Sequence, residues 1–278
     1  MKIEFLVNPY LLVWNLLFAP SISLKTNAYK KKLWLVYKNE YKKIENDKEQ
    51  ILLELKNFIP DDNTMYEKVE DTNIYEKLVS DATRHRIELL RIWDTNKKEI
   101  TKSIKEILKV ELGKYNVLVL PSYMDSVIKI DNVKNIGWGK KQDLNDKIET
   151  ITSIIHALVS VDLPKYEEEL DNQIKDACLE LMIKNELYTR LNNKSNNLAG
   201  SRDLKDIKQE IYPYFLMYLG IDLDSTTKYM ARDNFAFDIS KYTNEYKLRE
   251  LNYIEFIDFV VRNKKLILKI KKIGLEII

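Results

Sequence analysis

The chain is poor in the residues that cross-link and punctuate a backbone. Cys178 is its only cysteine among 278 residues, which rules out an intrachain disulfide and a cysteine-based zinc cluster. A lone cysteine fits a reducing, cytoplasmic setting, and within Ala177-Cys178-Leu179 it reads as a small core residue. Six glycines and six prolines are too few for a many-turned all-β fold and favour long helices. No apolar run reaches the length needed to span a bilayer. Leu11 to Phe18 is apolar, but Glu4, Asn8, Pro9 and Asn15 interrupt the stretch and only Lys2 precedes it as a basic residue, so a signal peptide is not expected. Charge of one sign is also missing. The 45 basic and 43 acidic residues leave a net charge of +2, with no global field to draw nucleic acid. Lys30-Lys31-Lys32 and Lys269-Ile270-Lys271-Lys272 read as solvated helix faces, so neither nucleic acid nor a membrane is an expected partner.

What is present is helical periodicity around a short β-rich stretch. Lys2 to Val7 reads as a strand, followed by a helix with Asn8 as N-cap and Pro9 in its first turn. Apolar residues at three- and four-residue spacing predict helices over Tyr29 to Glu45 and Asp47 to Phe58, with a loop at Pro60-Asp61-Asp62-Asn63. Asn73 with Glu76 forms a capping-box pattern for a helix to about Trp93. A further helix is expected from Asn96 to Leu112, closed by Gly113. Val117 to Leu120, Val127 to Ile130 and Val133 to Trp138 then read as three short strands, with a turn at Asp131-Asn132. Asp143 or Asn145 can cap a helix to Leu163, and Tyr166 to Leu191 reads as a second long helix. A polar loop over Asn192 to Asn197 ends near Gly200. Helices over Asp203 to Leu219, interrupted at Pro213 and stopped at Gly220, and over Tyr253 to Ile273 complete the chain. The expected class is α+β and predominantly helical. It comprises a mainly helical region over 1–112 and a second region over 113–278 that holds the small sheet and C-terminal helices.

The most informative segment is Ile154 to Leu163. A helical metal site needs two ligands one turn apart, so that both reach the same ion. Against H-E-x-x-H, this segment reads His156-Ala157-Leu158-Val159-Ser160. Thr152, His156 and Ser160 form a polar stripe on an otherwise apolar helix. The next helix carries Glu180 inside Ala177-Cys178-Leu179-Glu180-Leu181-Met182-Ile183. A carboxylate in such a block should be buried and must then find a partner. The order of strand, edge strand, metal-type helix and helix with an intruding glutamate resembles the gluzincin branch of the zincin metallopeptidases. The resemblance covers about residues 115 to 191. It implies that the small sheet packs on a zincin-like helix pair. It places His156 at the first zinc ligand and Glu180 at the third. Ala157 falls where the general base belongs and Ser160 where the second ligand belongs. Val133 to Trp138 would match the edge strand that pairs with an extended peptide, making Val133, Ile136 and Trp138 a candidate peptide-binding edge.

The departures decide the expected chemistry. Without the glutamate, nothing activates a metal-bound water. Without the second histidine, two protein ligands remain, below the three usual for catalytic zinc. His85, in Arg84-His85-Arg86, is expected at the surface. The expectation is a catalytically inactive zincin-like protein, with no catalytic residues, metal or cofactor, that binds a peptide or protein partner. The same residues also fit a helical interaction or regulatory protein unrelated to zincins, in which Glu180 is a core residue paired with lysine or arginine. An enzyme of another mechanism is the third class. Gly137-Trp138-Gly139-Lys140-Lys141 lacks the spacing of a phosphate loop and reads as a turn. Glu167 to Glu169 with Asp171 reads as a charge cap on the second helix, and Asp222-Leu223-Asp224 as a turn.

Overall fold

The computed structural model describes residues 1–18, 27–29, 31–33, 35, 69–70, 72–124, 127–130, 135–139, 146–192, 200–221 and 248–268. The expected helix Asp47 to Phe58, most of Tyr29 to Glu45, the Asp131-Asn132 turn, the caps at Asp143 or Asn145 and the Asp222 to Asp224 turn lie outside them. The described chain is α+β and mostly helical, with one four-stranded sheet. It divides into two compact units, residues 1–95 with 113–161, and residues 96–112 with 162–278. The division does not follow the change of pattern at residue 112, because the N-terminal strand pairs into the sheet beyond it.

In the first unit, β1 (Lys2–Leu6) pairs parallel with β2 (Lys114–Val119), and β2 pairs parallel with β4 (Asn135–Trp138). β3 (Val127–Ile130) runs antiparallel to β4, giving the order β1-β2-β4-β3. The central strand β2 reads as a near-continuous buried run, with Tyr115, Val117, Leu118 and Val119 all buried, as a strand covered on both faces should. Helix α1 (Pro9–Phe18) starts as expected: Asn8 Oδ1 accepts the Leu11 N–H at 2.8 Å, and Pro9 takes the first helical position. Leu11, Leu12 and Leu16 pack with Leu78, Ala82, Leu118 and Leu120 in the core of this unit.

The two helices expected over 73–112 are one, α2 (Asn73–Leu108). Asp94-Thr95-Asn96 does not break it, because a buried stripe runs on through Leu78, Ala82, Leu89, Trp93, Ile100, Ile104 and Ile107. Local preference for a cap at Asn96 is overridden by packing on both sides of it. Its N-cap is Thr72 rather than Asn73, with the Thr72 hydroxyl accepting from the Tyr75 N–H at 3.4 Å. At the far end, Lys109 adopts a left-handed conformation with φ 57°, so the helix stops four residues before Gly113. Helix α3 (Lys147–Val161) follows the sheet, is capped by Asp146, which accepts the Glu149 N–H at 2.8 Å, and packs against β4.

The second unit is built on α4 (Glu169–Glu180). It continues without a break through a π-helical stretch, Leu181–Leu187, into α5 (Tyr188–Asn192). Helix α6 (Lys205–Tyr218) and helix α7 (Tyr253–Arg262) pack on α4, and a single helical turn, α8 (Lys264–Ile267), follows. Ile174, Ala177, Cys178, Ile211, Phe215, Phe256 and Val260 fill this core. Gly220, at φ 75°, ends α6 as its sequence position predicts. The Ile221 N–H returns to Leu216 O and the Gly220 N–H to Met217 O, which is a Schellman cap. Asn252 and Glu255 make a complete capping box at the start of α7, which ends at Arg262 rather than at Ile273. Among the described residues no helix is long and apolar enough to cross a membrane.

Candidate functional site

The residues at metal-motif spacing lie on α3, in the first unit. Ala157 is buried. The Ser160 hydroxyl is buried and donates to Ala157 O at 2.8 Å. The Thr152 hydroxyl donates to Ile148 O at 2.9 Å and to Glu149 O at 3.0 Å. Two of the three members of the expected polar stripe therefore spend their hydroxyl protons on carbonyls of their own helix, a common fate of serine and threonine in helix interiors. His156 is the one residue of the turn that is only half-buried.

Glu180 belongs to the second unit, and its side chain is 4 % exposed. Its carboxylate is fully engaged there. Lys208 Nζ, with a wholly buried side chain, donates to Oε2 at 2.7 Å, and Lys184 Nζ donates to Oε1 at 2.9 Å. The Ser201 N–H lies 3.1 Å from each oxygen. Gly200 closes the cradle with φ 123°, and a Cβ there would lie 2.1 Å from Glu180 Oε2. Glycine is thus required twice, for its backbone conformation and for the carboxylate it faces. Burial works to raise the carboxyl's pKa. The hydrogen bonds from Lys208 and Lys184, the Lys184 charge and the Ser201 N–H outweigh it and hold the group below the usual carboxylate value.

Chemically, this is an anion held by two ammonium groups, not an open ligand. A metal ion at Glu180 would have to displace those hydrogen bonds and sit beside two positive charges. Among the described residues no group of three His, Cys, Asp or Glu side chains could hold a metal ion.

Two expected positions are corrected. The candidate peptide-binding edge is not an edge. β4 lies between β2 and β3, hydrogen-bonded on both sides, with Ile136 and Trp138 buried. Val133 lies outside the described residues. The outer strands are β1 and β3, so the antiparallel border strand that precedes the α3 helix is Val127–Ile130. His85 is not at the surface: it is buried on α2, and its Nδ1–H donates to Leu120 O at 2.8 Å. Its position was readable, because it stands three residues after Ala82 and four before Leu89 on the apolar stripe. The flanking Arg84 and Arg86 hid it.

Lys208 is the residue that sequence reasoning missed. A signal was present: Lys208, Ile211, Phe215 and Tyr218 share one face of α6, so a lone lysine stands on an apolar stripe as the lone Glu180 does on α4. No protein-family model, no curated protein and no solved structure matches this chain.

Proposed function

We propose that the chain is a zincin-like protein without peptidase chemistry that acts by binding a peptide or protein partner. The observation that carries the reading is the chemistry of one turn of α3. Ala157 stands where a general base is needed, and the buried Ser160 hydroxyl, at the second-ligand position, is committed to Ala157 O. The order of elements supports the ancestry. A parallel pair, an antiparallel outer strand and an inner strand lead into the helix that bears His156. An outer strand offers unpaired backbone groups to an extended peptide, and that role falls to β3. The buried single cysteine, with its thiol pKa raised by desolvation, suits a reducing, cytoplasmic setting. The test is a pair of measurements on the purified chain: metal content, and cleavage of an unstructured protein such as casein. The expected result is no stoichiometric zinc and no cleavage. Stoichiometric zinc with peptide cleavage would overturn the reading.

A second reading is favoured by Glu180 itself. Its lysine partners and the Gly200-Ser201 backbone make it a structural ion pair, as in a helical interaction protein with no zincin ancestry. Panning a random peptide library separates the two. Extended peptides whose binding is lost on proline substitution in β3 support the first, and capture only of folded partners through helix faces supports the second.

A further inference from the structure

The end of α2 and the end of α6 cap each other. Lys109 Nζ donates to Tyr218 O, the last carbonyl of α6, at 2.5 Å, and the Tyr218 hydroxyl donates to Ile107 O in the last turn of α2. The same amine donates to Arg249 O in the 3₁₀ turn Leu248–Glu250 at 2.7 Å, and it lies 3.9 Å from the centroid of the Tyr218 ring. Last-turn carbonyls have no partner inside their own helix, and both helix ends carry partial negative charge. A cation between them is therefore placed where the backbone calls for one. The cost is visible at Lys109, a non-glycine residue held at φ 57°.

We infer that Lys109 is a conformational latch, one side chain that ties the end of α2 to the two chain positions, Tyr218 and Arg249, that bracket residues 219–248. Release of this amine frees the cap of α6 and the 3₁₀ turn together, while the rest of the α4–α6–α7 core keeps its own packing. The latch is also linked to protons. No carboxylate is hydrogen-bonded to the amine. Burial pushes its pKa down to about 8, so the closed form favours the neutral amine and opening takes up a proton. The neighbouring charges are otherwise engaged or carried on the packed elements. Lys105 pairs with Glu111 and Glu106 with Arg190. Lys102 lines the same groove, Arg249 and Glu250 lie on the turn, and Tyr253 and Glu255 act on Tyr218 from α7. Burial raises the Tyr218 hydroxyl, which stays a donor throughout.

Hydrogen exchange of the full chain tests this at the amides of Gly220, Ile221 and Leu251, which are bonded to Met217 O, Leu216 O and Leu248 O. Lys109→Met is expected to speed their exchange about tenfold or more, with β1 and β2 unchanged. Lys109→Gly removes the side chain but relieves the backbone, so the same local loss is expected even if Lys109→Met is globally destabilised. After correction for the base-catalysed intrinsic rate, wild-type protection at these amides is expected to rise from pH 7 to pH 9, and that rise to vanish in Lys109→Met. Unchanged exchange at all three amides in both variants would overturn the latch. Falling or flat wild-type protection over that range would overturn its proton linkage.

Discussion

Glu180 and Lys208 form a buried ion pair, 2.7 Å apart, in which the lysine side chain is wholly buried and the glutamate nearly so. Each is the single charged residue on an apolar stripe of its helix. Neither α4 nor α6 can pack there without the other, so the pair fixes which faces of the two helices meet. Such pairs contribute little net stability, because desolvation offsets attraction, yet losing one partner is costly.

Lys208→Met should therefore destabilise the protein by roughly 3–5 kcal/mol, since it strands a buried carboxylate. The double variant Glu180→Leu/Lys208→Met should recover most of that loss. Urea titrations of both variants check this; equal destabilisation in the single and double variants would mean that the two residues act independently.

Gly200→Ala should cost about 2 kcal/mol or more, because φ 123° strains any side chain and the new Cβ would collide with the Glu180 carboxylate. A thermal melt of the variant is the measurement. In the Glu180→Ala background the collision is gone, and only the backbone part of the cost should remain.

Glu180 also sets an acid limit. Its folded-state pKa lies below the ordinary value of 4.5, so the unfolded chain takes up its proton first as pH falls. The stabilisation is complete above that value and is lost as pH drops through the folded-state pKa. Urea midpoints should fall more steeply between pH 5 and pH 3 in the wild type than in Glu180→Gln.

Strand order predicts a graded response to proline. Ile136→Pro in β4 breaks a ladder bonded on both sides and should cost about 3 kcal/mol or more, enough to abolish cooperative folding. In β3, Ile128 and Lys129 alternate in the side to which their N–H points. One of the two proline substitutions should be tolerated, the one whose N–H faces away from β4. Circular dichroism melts of the three variants would test the assigned order.

Local chemistry was legible and non-local order was not. The Asn8 cap and the stop at Gly220 rest on a few adjacent residues, and both appear where the sequence places them. That Glu180 must be buried and partnered followed from its apolar neighbours alone. The identity of the partner did not, because Lys208 is 28 positions away and joined through tertiary packing. The border position of β3 was equally hidden. Side-chain pattern marks a strand but says nothing about which neighbours it acquires, and Val133 to Trp138 was placed at the border for want of that information. At Asp94-Thr95-Asn96 the local signal pointed the wrong way, since a cap-forming triplet lies within a helix held by its apolar stripe.

The π-helical stretch Leu181–Leu187 has a consequence for how this segment tolerates length changes. A π turn holds more residues than an α turn, so it stores the footprint of an inserted residue within a helix that otherwise keeps its course. Deleting one residue from this stretch would let it relax to α-helix. Everything downstream would then rotate by about 100° relative to Glu180. Arg190, which reaches Glu186 on its own helix and Glu106 on α2, would be aimed elsewhere. The phase between the buried Glu180 and the outward Arg190 is thus carried by a single surplus residue, and a shortened variant would keep its helix content while losing that phase.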